Sequence, residues 1–245
     1  MSSTLRVENL KKSFGKKEAV KGISFKVKSG EVVGLLGPNG AGKTTTFYMI
    51  TGIIKPDSGS IFIDDKDISS MPIYERARLG VGYLPQEPSI FRKLTVRENL
   101  RAVLEIKYKD NKEALAQIDK EVESILKDFN LLEFADREGY KLSGGERRRA
   151  EIARAIALKP IFMLFDEPFA GIDPLAVVEL KKTIKNLKDR GIGVIITDHN
   201  VRETLSITDR AFIIHNGTLL AEGSPETLVN NPVVREAYLG EEFRL

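Results

Sequence analysis

Gly37-Pro38-Asn39-Gly40-Ala41-Gly42-Lys43-Thr44-Thr45 is the stretch around which the chain must be built. The apolar run Glu31 to Leu36 precedes it with the look of a buried strand, and Thr44 to Gly52 follows with helical composition. A Gly-x-x-x-x-Gly-Lys-Thr string between a strand and a helix is a phosphate-binding P-loop. Its glycines let backbone N–H groups curl around phosphates, and the helix N-terminus faces their charge. Lys43 would then reach the β and γ phosphates of a nucleotide, and the Thr44 hydroxyl would hold Mg2+. The alternative, a glycine-rich turn with an incidental lysine, does not account for the strand, loop and helix order.

The remaining pattern alternates between strand and helix. Leu5 to Leu10 and Ala19 to Val27 read as strands, the second with Ile23, Phe25 and Val27 alternating against Ser24, Lys26 and Lys28. These early strands can join the main sheet or pair antiparallel into a side sheet. Pro56 to Gly59 is a turn into a strand at Ser60 to Ile63, and Pro72 at a first helical position with Gly80 brackets a helix before a strand ending at Leu84. From Pro88 to about Ala157 the texture is helical. Thr95 with Glu98, and Asp110 with Glu113, have capping-box spacing, and Leu115, Ile118, Val122, Ile125, Leu126 and Phe129 form one helical stripe. Strands return at Ile161 to Phe165 and Gly193 to Thr197, flanking a helix opened by Asp173-Pro174 and stopped at Gly191. Asn216-Gly217 marks a type I′ hairpin, and Ser224-Pro225 and Pro232 open short terminal helices.

Composition narrows the function classes. The charge balance of 38 basic against 35 acidic residues gives no basic excess of the kind nucleic acid attracts, so no nucleic-acid partner is expected. The absence of cysteine excludes disulfides and cysteine zinc sites and fits a reducing compartment. No run of 18 apolar residues and no apolar stretch in Met1 to Leu10 is present, so neither a membrane span nor a secretion signal is expected.

A second nucleotide element lies at Ile161-Phe162-Met163-Leu164-Phe165-Asp166-Glu167. An apolar strand that ends in a carboxylate places Asp166 beside the P-loop, where it can complete a Mg2+ shell, and Glu167 can act as general base on an attacking water. Taken alone, the acidic pair could simply close a strand into the turn at Pro168. Leu142-Ser143-Gly144-Gly145-Glu146 has the capping-box spacing of a helix start left bare by two glycines.

That string resembles the signature motif of ATP-binding cassette (ABC) ATPases, and the other motifs of that family follow in order. The resemblance implies an α/β fold: a P-loop NTPase (RecA-like) core at 1–87 and 158–223, with an antiparallel β side sheet. It also implies an inserted α-helical subdomain at 88–157 and C-terminal helices and tail at 224–245. It implies ATP and Mg2+ as ligands, bound by Phe14 and by Gly37, Pro38, Asn39, Gly40, Ala41, Gly42, Lys43, Thr44 and Thr45. Ser143, Gly144, Gly145 and Glu146 would meet the γ-phosphate held by a second subunit, so a homodimer follows, with Asp173 meeting the opposite copy. Gln86 would contact Mg2+, with Thr44 and Asp166, and the water; His199 would contact the γ-phosphate, and Glu167, His199 and Gln86 would carry hydrolysis. Glu146 stands where many cassettes have Gln. The run Arg147-Arg148-Arg149 in a first helical turn opposes the helix dipole, which a partner or phosphate would compensate if it is not a solvated face.

Within the family, four strings resemble the ATPases of lipopolysaccharide exporters: Gly42 to Met49, Tyr83 to Glu87 with Ser89 to Arg92, Asp198 to Thr204 and Tyr238 to Leu245. This resemblance implies a cytoplasmic protein, peripheral on the cytoplasmic face of an inner membrane. It would power two integral membrane subunits that dock near Phe91 and Arg92 and handle lipopolysaccharide. The alternative for Phe91 is that it closes the small helical core. The ATPases of branched-chain amino-acid importers share the catalytic residues and are the alternative; the tail is the feature that argues against them.

Overall fold

The computed structural model describes residues 2–244; Met1 and Leu245, the two ends of strings read above, lie outside the described residues. Among the described residues, ten strands form two sheets. The first has the order β2-β1-β4-β5 and is wholly antiparallel: β1 Thr4–Phe14, β2 Lys17–Lys28, β4 Ser58–Ile63 and β5 Lys66–Asp67. The early strands therefore form a side sheet. In β2, buried Val20, Ile23, Phe25 and Val27 alternate with exposed residues, the pattern of a sheet packed on one face only. The expected turn at Pro56 to Gly59 is shorter than its sequence suggests, because Ser58 already pairs with Lys11.

The second sheet has the order β10-β9-β3-β8-β7-β6. Its strands are β3 Val32–Leu36, β6 Val81–Leu84, β7 Phe162–Asp166, β8 Gly193–Thr197, β9 Arg210–His215 and β10 Thr218–Gly223. All neighbours are parallel except the β9–β10 hairpin, whose turn residues Asn216 and Gly217 both have positive φ, 50° and 82°, as a type I′ turn requires. Burial on both faces explains the continuous apolar runs, and the period of two divides them between two cores. Val32, Met163, Phe165, Val194 and Ile196 face one core, and Val33, Phe162, Leu164, Ile195 and Phe212 face the other.

Helices cover both faces. α1 (Lys43–Thr51) follows the P-loop, and α2 (Ile73–Arg78) precedes β6. Pro72 is the cap residue of α2, one place before the first helical position expected for it. Between β6 and β7 lies the helical insertion, with α3 Val96–Tyr108, α4 Lys112–Leu115, α5 Ile118–Asp128 and α6 Gly144–Ala157. Thr95 and Glu98 form the expected capping box. The second expected box is displaced: Asn111, rather than Asp110, caps α4 by accepting from the Ala114 N–H at 3.0 Å, and its short amide reaches the third residue on. The apolar stripe beyond it is split, with Leu115 on α4 and the remainder on α5 and its end, yet all six residues pack on one core. α7 (Pro174–Asp189), α8 (Val201–Leu205), α9 (Pro225–Val229) and α10 (Pro232–Val234) complete the chain with a π-turn at Arg235–Leu239. The tail packs Tyr238, Leu239 and Phe243 against a small core containing Leu36, Leu205 and Val229. Among the described residues, no helix is long and apolar enough to cross a membrane.

Candidate nucleotide-binding site

The P-loop turns away from β3 through a conformation that only glycine tolerates. Gly37 has φ 148°, and a Cβ there would stand 2.0 Å from Ile214 O; Gly42 has φ 106°, and its Cβ would stand 2.5 Å from Ala19 O. The loop therefore presses against β9 and β2 with no room for side chains. Lys43 is buried at the start of α1, and its ammonium donates to Gly37 O (2.6 Å) and Pro38 O (3.0 Å). Burial lowers the Lys43 pKa, and the nearby Glu167 carboxylate opposes that shift. Phe14, Asn39, Gly40, Gly42, Lys43, Thr44, Thr45 and His199 line one open cavity.

The parallel strands β7 and β8 deliver the acidic groups. Asp166 pairs with Thr197 in the register and is buried, accepting from the Tyr83 hydroxyl at 3.3 Å. Burial raises the Asp166 carboxyl above the ordinary aspartate range, and the adjacent Glu167 charge pushes the same way. Glu167 has φ 46°, a left-handed backbone uncommon outside glycine, and its N–H donates to Thr197 O at 2.7 Å. That reversal at the strand end points its carboxylate to His199 Nε2, 2.7 Å away. Asp198, also buried, accepts from the N–H groups of Phe169 (2.8 Å) and Asn200 (2.7 Å), so it holds together the loops that carry Glu167 and His199. Sequence reasoning passed over Asp198; its place beside His199 was the available signal.

This chemistry fits a magnesium nucleotide. A buried ammonium satisfied only by its own loop, near the Glu167 carboxylate whose chain neighbour Asp166 is pushed toward neutrality by burial, suits a polyphosphate and a hard cation. Among the described residues no group of three or more His, Asp or Glu is arranged to hold a metal. Mg2+ held by one carboxylate, with phosphate oxygens and water for the rest, needs no such cluster.

The other expected residues lie elsewhere. Ser143 caps α6: its Oγ accepts from the Glu146 N–H at 3.4 Å, and Glu146 Oε2 accepts from the Ser143 N–H at 2.8 Å. The Glu146 carboxylate is thus occupied by the cap and by Arg137 at 3.3 Å. Asp173 caps α7 by accepting from the Ala176 N–H. Ser143, Gly144, Gly145, Glu146 and Asp173 line a second cavity, next to an 80% exposed Leu175. Gln86 is exposed and lines neither cavity. The arginine run is not a uniform solvated face: Arg148 is largely buried and donates to Pro85 O at 2.8 Å, while Arg149 lies over the Phe134 ring. Phe91 does not close the helical core. It is 46% exposed on a groove with Ile73, Ala77, Leu84 and Val103, and the Arg154 guanidinium sits 4.7 Å from its ring centre.

Comparison with known proteins agrees with this layout. A family profile described as "ABC transporter" matches residues 20–170, and one described as "Branched-chain amino acid ATP-binding cassette transporter" matches residues 218–244. The chain is 51% identical to the lipopolysaccharide export system ATP-binding protein LptB of Acidithiobacillus ferridurans, covering 100% of both chains. Its fold is similar to that of MJ1267, an ATP-binding cassette of an ABC transporter in its ADP conformation. The TM-score is 0.85 at 33% identity, over 98% of this chain and 99% of that one. It is also similar to the cassette MJ0796, solved as a dimer in a post-hydrolysis state with ADP and Pi. There the TM-score is 0.77 at 26% identity, over 90% and 98% of the two chains. The mixed sheet, the P-loop and the inserted helices are those of the P-loop, RecA-like ATPase fold, and the chain belongs to the ABC transporter family as one of its ATP-hydrolysing cassettes.

Proposed function

We propose that this cassette powers the extraction of lipopolysaccharide from an inner membrane, as a homodimer seated peripherally on the cytoplasmic side of two integral membrane subunits. The observation that carries the export reading is the full-length identity to an LptB. The dimer is supported by the separation of the two halves of the site. P-loop and His199 share one cavity and the signature residues another, so a second copy would supply what the first lacks. The cassette MJ0796 is itself dimeric with ADP and Pi.

In this reading Phe14 stacks on the adenine, and Lys43 exchanges the carbonyls of Gly37 and Pro38 for phosphate oxygens. Thr44 and Asp166 would hold Mg2+, which when bound neutralises phosphate charge; Gln86, which lines neither cavity, would join them only once its segment moves inward. Glu167 accepts the proton of the attacking water, and His199 donates to the γ-phosphate. Ser143, Gly144 and Gly145 of the second copy present the N-terminus of α6 to the same phosphate, while Glu146 keeps that end capped and Asp173 lies at the contact between copies. Phe91 lines the groove where a helix of each membrane subunit docks, and Arg92 is its neighbour in the chain.

The alternative, a branched-chain amino-acid importer, rests on a profile that matches residues 218–244 alone, against an identity to an LptB that runs the full length of the chain. The tail is therefore shared with that class and does not by itself separate the two. Gentle solubilisation of native membranes, capture of this chain and mass spectrometry of what accompanies it tests the assignment. Two membrane subunits with bound lipopolysaccharide are expected; amino-acid permeases would establish the importer instead.

A further inference from the structure

Glu151 lies on α6 roughly two turns beyond Ser143. It is 2% exposed, and its two oxygens reach different parts of the chain. Oε1 accepts from the backbone N–H groups of Ser89 (2.7 Å) and Ile90 (3.2 Å). Oε2 accepts from Arg148 Nη1 at 3.4 Å, and the same nitrogen donates to Pro85 O at 2.8 Å. Arg154 adds a bond from Nη2 to Ser89 Oγ at 2.9 Å. The segment from Pro85 to Ile90, which contains Gln86 and leads into Phe91, is thus fastened at both ends to the helix that begins at the signature residues.

A carboxylate buried this deeply is costly unless a cation and hydrogen-bond donors satisfy it. Its neighbours Ala150, Ile152 and Ala153 fill the core without any such requirement. Burial lowers the Arg148 pKa, and the charges of Glu151, Asp166 and Asp198 oppose that shift.

We propose that Glu151 is a positioning residue for ATP turnover: it locks the Gln86 segment to the signature helix so that the two move as one body. The proposal rests on the function assigned above. The full chain carrying Glu151→Gln, which keeps the volume but removes the charge facing Arg148, and Glu151→Ala are compared with the parent. The measurements are affinity for a fluorescent ATP analogue, steady-state hydrolysis and backbone hydrogen exchange. Affinity is expected to stay within about two-fold because the P-loop is untouched, while kcat falls about ten-fold or more with KM little changed. Exchange should quicken at residues 85–92 and not in the P-loop. Unchanged kcat in both variants overturns the role. So does exchange that quickens throughout residues 96–157 with loss of affinity, since Glu151 would then only hold the fold. A parent chain that hydrolyses no ATP overturns the assigned function and this role with it; an active parent with unaffected variants overturns the role alone.

Discussion

His199 Nε2 lies 2.7 Å from Glu167 Oε1, joining the loop after β8 to the end of β7. One group is the proposed base and the other the proposed γ-phosphate contact, so the two proposed roles meet in a single pair. Glu167→Gln is expected to retain ATP, accumulate closed dimer and lose about 10² to 10⁴ in turnover. Single-turnover hydrolysis at the parent rate would refute the assigned base.

Lys43 currently spends its donors on the carbonyls of its own loop. Lys43→Ala should therefore leave the fold intact while weakening ATP binding by about ten-fold or more, the loss of a charge-assisted phosphate contact. Equilibrium binding of an ATP analogue is the measurement, and parental affinity would contradict the loop's proposed role.

The pKa of Asp166 is raised by burial first and by Glu167 second. A carboxyl raised in the folded state contributes stability below its unfolded pKa and loses that contribution as pH climbs through the folded value. Asp166→Asn should accordingly gain in Tm relative to the ligand-free parent as pH rises from about 4 to about 7. Mg2+ with ADP should reverse the order at the upper end. Parallel Tm profiles across that range would show that the burial is relieved in another way.

Arg76 is fully buried and caps the C-terminal end of α1, donating to Met49 O (2.5 Å), Ile50 O (2.8 Å), Met71 O (2.8 Å) and Ser69 O (2.9 Å). Burial pulls its pKa down to about 10, against the pull of Asp67. Arg76→Leu strands these carbonyls and should cost about 3 kcal/mol or more in denaturant unfolding. A loss below about 1 kcal/mol would mean that water replaces the guanidinium.

Phe91 carries the proposed docking surface. Phe91→Ala should leave hydrolysis by the isolated cassette within about two-fold while weakening association with the membrane subunits by about 2 kcal/mol or more. Co-purification and hydrolysis measured on the same sample separate the two effects, and undiminished association would move the docking site elsewhere.

The parts legible in the sequence were those fixed by local chemistry. The P-loop glycines, the carboxylate at the end of β7, the Ser143 capping box and the Asn216-Gly217 turn each depend on residues within a few positions of one another, where backbone geometry and hydrogen-bond reach leave few alternatives. The cap of α4 was misplaced by one residue because Asp110 and Asn111 both suit the role and only the folded turn chooses between them. The contacts that unite distant segments had no local signal. Glu151 meets Ser89 across 62 residues of chain, Arg76 meets Met49 across 27, and Asp198 meets Phe169 across 29. Each is a buried polar group whose partner is a backbone N–H or C=O, which every residue except proline's missing N–H can offer, so residue identity carries no trace of the pairing. Chain chemistry determined that a nucleotide-binding cassette would form; packing alone decided which side chains join its distant segments.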